Sequence, residues 1–353
     1  MSLATEATDS KYDKTQTVNN KPRPFWEDRQ VPLVELHDHV GGSLTPAILW
    51  SLAHQQGLKL PTKDYWEFVD MITIKDAYTH LNHYEKLYRL PELIQSSPLA
   101  IERAVYEIIG GSYRASNVVT HELRYNPMKR NRDGEQDLDH IITASIRGLE
   151  RALLEYPYKK AGLIVMLDRS FPYEHNEICV NKAIQYSREQ SIIGIDMAGP
   201  RPKQHHDYAQ YKPLINKARQ AGLGVTIHVG EEGHSTDELW DVVRQIQPDR
   251  IGHGILAATD PKLMEYLAKK NIVLEICPTS NLNTGSIESI DDLRNIIRNL
   301  LDHGVKFCIN TDGAELNSTT IKKEMRLLYN NQIMSESELA TANEIAKTAS
   351  FIH

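Results

Sequence analysis

Four apolar, β-branched segments of this 353-residue chain each end in a histidine or a carboxylate, and few folds bring four such ends to one place. The first is Val34-Glu35-Leu36-His37-Asp38-His39. Side chains alternate along a strand with period two, so His37 and His39 project from one face and offer two nitrogens to a single metal ion. Imidazole is the commonest metal ligand, but an H-x-H pair alone also occurs in ordinary polar segments. The other three are Thr226-Ile227-His228-Val229-Gly230-Glu231, Arg250-Ile251-Gly252-His253-Gly254 and Ile309-Asn310-Thr311-Asp312-Gly313.

A (β/α)8 barrel requires this recurrence, because its functional groups sit at the carboxyl ends of several strands while helices cover the outside. Eight short apolar runs can be read as its strands: Val34–His39, Val118–Tyr125, Leu163–Leu167, Ile192–Asp196, Gly224–His228, Arg250–Gly252, Ile272–Ile276 and Lys306–Asn310. Between them, Leu138–Glu155 carries Ile141, Ile142, Ile146, Leu149, Leu153 and Leu154 at helical spacing, and Pro261–Lys270 and Ile290–Asp302 are similar. Roughly eighty residues separate the first two strands, against the ten to twelve of a short crossover, so helices must be inserted there. The pattern predicts them over Pro46–Gln56 and Ile72–Tyr88, above the barrel mouth. Trp50, Tyr78, Tyr84 and Tyr88 lie on them and Trp66 lies between, either lining the mouth or packing the insertion's own core.

A net charge of −7 without a long Lys/Arg run argues against reading a nucleic-acid backbone, which needs a basic surface, but leaves free nucleosides possible. No run approaches eighteen apolar residues and the first twenty-five are polar, so the expectation is a cytoplasmic protein with no membrane partner. Cys179, Cys277 and Cys308 are odd in number and widely spread, which disfavours a disulfide framework. Residues 1–24 are polar without apolar period and read as a flexible tail, with 25–353 as one barrel domain.

The motifs, in this order, resemble those of the adenosine deaminase family of metal-dependent hydrolases. Glu35-Leu36-His37-Asp38-His39 resembles the strand-one metal motif, and Gly194-Ile195-Asp196-Met197-Ala198-Gly199 a purine-contacting turn after strand four. His228-Val229-Gly230-Glu231 is similar to the family's H-x-G-E motif, with a third histidine ligand and a catalytic glutamate. Arg250–Gly254, Cys277-Pro278-Thr279-Ser280-Asn281 and Thr311-Asp312 resemble its later motifs, and Ala349-Ser350-Phe351 its closing helix.

The resemblance implies a site of His37, His39, His228 and Asp312, a nitrogen and oxygen set suited to one zinc ion per chain with a position left for water. It implies His253 and Asp312 as groups that orient and deprotonate the water, and Glu231 as the acid that protonates a ring nitrogen, for which its pKa would have to be raised. For a 6-aminopurine nucleoside or base the expected course is attack at C6, protonation of N1 and loss of ammonia. The backbone N–H of Gly199 would meet purine N3. Asp38 alternates away from the histidines toward the helix layer and needs a hydrogen-bond partner there.

Two positions depart from the family pattern. An Asp that contacts the ribose 5′-hydroxyl is replaced by Gly41, and an Asp that contacts purine N7 by Gly313. A site built to hydrogen-bond a substrate group can discriminate by about 10^4, so both losses bear on specificity. They favour, as a second reading, a hydrolase of another amine or amide; a non-catalytic nucleoside-binding protein is a third, against which Glu231 and His253 count. The residues do not determine the oligomeric state. His205, His206 and His234 lie in polar loops, where exposure is expected.

Overall fold

The computed structural model describes residues 23–74, 81–130, 137–187, 191–200 and 206–352. Eight parallel strands follow one another around a (β/α)8 barrel: β1 (Leu33–His39), β2 (Val118–Tyr125), β3 (Lys160–Asp168), β4 (Ile192–Ala198), β5 (Gly224–Val229), β6 (Arg250–His253), β7 (Val273–Ile276) and β8 (Phe307–Ile309). Each lies within a few residues of the expectation, because both faces of a barrel strand are buried and its apolar run is easily seen.

The seam between β8 and β1 is closed by few backbone bonds. A single bridge joins Asp38 to Asp312, where the N–H of His39 donates to the Asp312 carbonyl (2.8 Å) and that of Asp312 to the His37 carbonyl (2.9 Å). Side chains satisfy the rest: Asn310 Oδ1 accepts from the Leu36 N–H at 3.0 Å, and Glu35 accepts from the Thr311 N–H and hydroxyl. The seam therefore sets Asp312 beside His37 and His39.

The helices Leu138–Glu155, Pro261–Lys270 and Ile290–Asp302 have the expected bounds. Their apolar stripes pack on the barrel, except that Leu154 is exposed, having drifted round the helix from Leu149 and Leu153.

The insertion corrects the expectation. Pro46–Gln55 is helical, but the helix expected over Ile72–Tyr88 does not begin at Ile72: the helix Tyr65–Ile72 ends there, residues 75–80 of the expected span lie outside the described residues, and Leu81–Ile94 is helical. The Tyr65–Ile72 helix begins early because Asp64 accepts from the Glu67 N–H, an N-cap legible in Asp64-x-x-Glu67, and it ends where Thr73 is extended. A further helix, Pro98–Ser116, capped by Ser97, leads into β2. Trp50 packs on Tyr65 and Phe68 inside the insertion, Trp66 faces solvent, and among the described residues Tyr88 reaches the mouth. Tyr78 and the side chain of Tyr84 lie outside the described residues. Among the described residues no helix is long and apolar enough to cross a membrane.

Candidate metal centre and cavity

The carboxyl ends of β1, β5 and β8 bring together the four groups expected to hold a metal. Nε2 of His39 lies 3.3 Å from Nε2 of His37 and 3.2 Å from Nε2 of His228. Asp312 Oδ1 is 3.4 Å from Nε2 of His37 and 3.2 Å from that of His39. Ligands at zinc–nitrogen distances of about 2.0–2.1 Å in a tetrahedron stand roughly 3.3 Å apart, so the spacing fits.

The proton positions fit as well. Nδ1 of His37 donates to Glu275 at 2.7 Å and Nδ1 of His228 to Asp196 at 2.8 Å, which leaves both Nε2 atoms with lone pairs turned toward one point. Lone pairs and a carboxylate oxygen so close repel one another unless a cation lies between them. Burial holds the pKa of His228 below its ordinary value and that of His39 well below it, despite nearby Asp196 and Asp312, so both rings are neutral at neutral pH, the form a metal ligand needs. Burial and Arg124 act against protonation of His37, but its bonds to Asp312 and Glu275 carry its pKa upward. Burial likewise opposes ionisation of Asp312, yet the surrounding imidazoles hold it well below the usual carboxylate range. Ser280 donates to the second oxygen of Asp312 at 2.6 Å.

Behind the ligands runs a buried ladder of charge. Arg124 donates to Asp196 (3.0 Å) and Glu275 (2.9 Å), and Glu275 also accepts from Arg250 (2.6 Å) and Thr226 (3.0 Å). Each carboxylate that orients a histidine is thus itself held by a guanidinium, an arrangement that fixes ring orientation and raises ligand basicity. Burial opposes ionisation of Asp196 and Glu275, but these partners keep both carboxylates ionised. The roles of Asp196 and Glu275 in orienting the histidines are not among the sequence expectations. The signal was an acid inside an otherwise apolar strand, Ile195-Asp196-Met197 and Leu274-Glu275-Ile276, which must be paired to be buried.

His253 and Glu231 stand over the ligand set, His253 Nε2 lying 3.6 Å from Glu231 Oε2. The amide of Asn281 donates to His253 Nδ1 at 3.0 Å, so the ring proton sits on Nε2. Burial pushes the His253 pKa down to about 3 against the pull of Asp312, so the ring stays neutral. His253 and Asp312 both have left-handed backbones (φ 59° and 66°), strain of the kind that collects at functional sites. Gly230 is also left-handed (φ 71°), which turns the chain so that Glu231 reaches the cavity.

The cavity in front of the ligands measures about 360 Å³, within the range of small-molecule sites, and is lined by His39, His228, Glu231, His253, Asp312 and Gly199 among others. Gly199 has φ 93°, and a side chain there would meet the Asp168 carboxylate, so its backbone stays open to the cavity. Gly41 and Gly313 do not leave empty space. A Cβ on Gly41 would lie 2.9 Å from the Tyr88 ring, and one on Gly313 3.0 Å from the Tyr88 hydroxyl.

Asp38 finds the expected partners outside the ligand face: His121 at 2.8 Å and the Ser43 hydroxyl. Cys179, Cys277 and Cys308 are buried free thiols. Cys277 lies near His37 and His253, but burial holds its thiol well above the ordinary pKa, unlike a metal-binding thiolate. His234 is exposed as expected, whereas His206 is stacked on Tyr211; His205 lies outside the described residues.

Fold and site together define a (β/α)8 barrel with a histidine and carboxylate centre of metal-ligating type at its mouth. The chain belongs to the adenosine deaminase family, whose sequence profile matches residues 32–353. It is 29% identical over 313 residues to the adenosine deaminase of Shewanella denitrificans, covering 89% of this chain and 92% of that protein. The Arabidopsis N6-mAMP deaminase superimposes with a TM-score of 0.76 at 25% identity, over 92% of this chain and 95% of that one. The adenine deaminase of Arthrobacter aurescens shares the fold, with a TM-score of 0.79 at 21% identity over 91% and 94%.

Proposed function

We propose that this chain is a zinc-dependent cytoplasmic hydrolase, with one zinc per chain, that deaminates adenosine or a related 6-aminopurine and releases ammonia. The observation that carries the reading is the convergence of three imidazole Nε2 atoms and Asp312 at 3.2–3.4 Å beneath a cavity that also holds His253 and Glu231. Membership of a deaminase family supports it.

When bound by His37, His39, His228 and Asp312, zinc supplies a nucleophile near neutral pH by lowering the pKa of water to about 7. The chain's own residues do the remainder. The Nε2–H of His253 holds the attacking oxygen in place, and Asp312, oriented by Ser280, takes up its proton. Glu231 gives a proton to N1 as C6 becomes tetrahedral, and Gly199 presents its backbone N–H to N3. The C6–oxygen bond forms, the C6–nitrogen bond breaks, and the amine departs as ammonia with the protons these groups have moved.

Metal analysis with an ammonia-release screen over aminopurines, pterins and pyrimidines tests the reading. About one zinc per chain and turnover of an aminopurine are expected, and His228→Ala should lose both metal and activity. Full metal occupancy in that variant, or release from non-purine amines alone, would overturn it.

A further inference from the structure

The space at Gly41 and Gly313, where the family resemblance implies carboxylates, is filled from the insertion. The Leu81–Ile94 helix sets Tyr88 and Glu92 one turn apart, on one face. Both line the cavity. The Tyr88 ring covers Gly41, and its hydroxyl lies over Gly42 and Gly313; Glu92 Cγ would be 3.3 Å from a Cβ at Gly41. Arg130, fully buried, lies behind with Nη2 3.5 Å from Glu92 Oε1, and fixes the acid in the wall. Tyr88 also packs edge-on to the candidate ligand His39, with ring centroids 6.1 Å apart.

The charge around this wall bears on what the substrate carries on its far side. Glu92, Glu231, Glu232 and Glu238 all line the cavity. The described cations that line it are already engaged. Lys129 Nζ is 2.5 Å from Asp168, and Arg169 donates to the Tyr208 hydroxyl and to the Gly199 and His228 carbonyls. A phosphate would bring negative charge to carboxylates, whereas a hydroxyl can donate a hydrogen bond to one.

We propose that Tyr88 and Glu92 are specificity-determining residues, and that the cavity takes an aminopurine whose sugar ends in an uncharged hydroxyl in preference to its 5′-monophosphate. The proposal rests on the deaminase reading and deepens it. It sets this chain apart from the structural relative named for a nucleotide substrate.

The test compares adenosine with adenosine 5′-monophosphate on the zinc-loaded protein, and inosine with its 5′-monophosphate by calorimetric binding. The wild type should favour the nucleoside at least tenfold in kcat/KM, and more so at low salt, because the discrimination is electrostatic. Glu92→Gln should narrow that ratio several-fold, chiefly through KM, while Glu92→Asp restores most of it and metal content stays unchanged. Tyr88→Phe should raise KM for adenosine a few-fold with kcat kept. A wild-type preference for the monophosphate, or a ratio indifferent to salt and to Glu92 in turnover and in binding, would overturn the proposal while leaving the deaminase reading intact. A metal-loaded wild type that neither turns over nor binds any purine would instead overturn the reading and with it this inference.

Discussion

Each end of the barrel has a pair of glycines that make room for one aromatic ring, and the two rings serve opposite ends. At the amino end, a Cβ on Gly194 would lie 2.9 Å from the Phe351 ring and one on Gly224 closer still. That ring packs under Arg250, whose guanidinium carbon is 3.6 Å from its centroid, while Glu122 accepts from the Ser350 hydroxyl and the Phe351 N–H. Arg250 and Glu122 pair with each other there, and the ring packs against the guanidinium. At the carboxyl end, Gly41 and Gly313 admit Tyr88, but the ring borders a cavity, and the groups beside it are lone pairs and acids held close by strained backbone. A shared ladder, His228–Asp196–Arg124–Glu275–Arg250–Glu122, links the two ends. The same device therefore packs the barrel at one end and lines a cavity at the other.

The largest effect expected at the mouth comes from Glu231→Gln, which keeps shape but cannot deliver a proton. Turnover should fall by about 10^2 to 10^4 with zinc retained and the melting temperature unchanged. An unimpaired rate would remove Glu231 from the chemistry. At the amino end the expected signature is the reverse. Gly224→Ala drives a methyl group into the Phe351 ring, and overpacking of this kind costs about 1–3 kcal/mol. Thermal unfolding should begin several degrees lower while kcat/KM per folded protein is kept; a loss of KM selectivity instead would mean that the two ends are not separable.

Gly313→Asp gives a smaller effect that sharpens the contrast. Without Tyr88, an acid there would be expected to improve purine recognition. With the hydroxyl 3.0 Å from the new Cβ and the Gly42 Cα at 3.2 Å, the variant should instead raise KM for adenosine a few-fold, and to a similar degree for 7-deazaadenosine. A gain specific to adenosine would show that Tyr88 gives way.

The smallest effect is a pH slope near the amino end. Lys159 is buried against the Val118 carbonyl (2.6 Å) and the Ser112 hydroxyl (3.1 Å), and burial lowers its pKa from 10.5 to about 7. Between these values the unfolded chain binds a proton that the folded one does not, so stability from this group rises as pH goes from 7 toward 10.5 and is lost as pH falls back through 7. Denaturant titrations over pH 7–9.5 should show a positive slope that Lys159→Met removes; identical slopes would count against a neutral Lys159.

The eight strands, three outer helices and candidate ligands were legible because they obey local rules. Period-two and period-3.6 apolar patterns report burial directly, and a strand ending in His or Asp announces a side chain that cannot join the core. The boundary error in the insertion has a local cause too, since the Asp64 cap starts a helix at Tyr65 that ends at Ile72, where the expected one begins. The environment of the ligands was not legible. Glu275 is 238 residues from the histidine it orients, and Asp196 is 32 from His228.

The sequence by itself determined the order of elements, the barrel, and which residues could be metal ligands or proton donors, since these follow from side-chain chemistry and short-range periodicity. Only the tertiary structure decided what stands beside them. Gly41 and Gly313 are silent in the chain, because glycine has no side chain to signal a contact. That Tyr88 and Glu92 take their place, as Phe351 does at Gly194 and Gly224, depends on helices and strands far apart in sequence meeting in space.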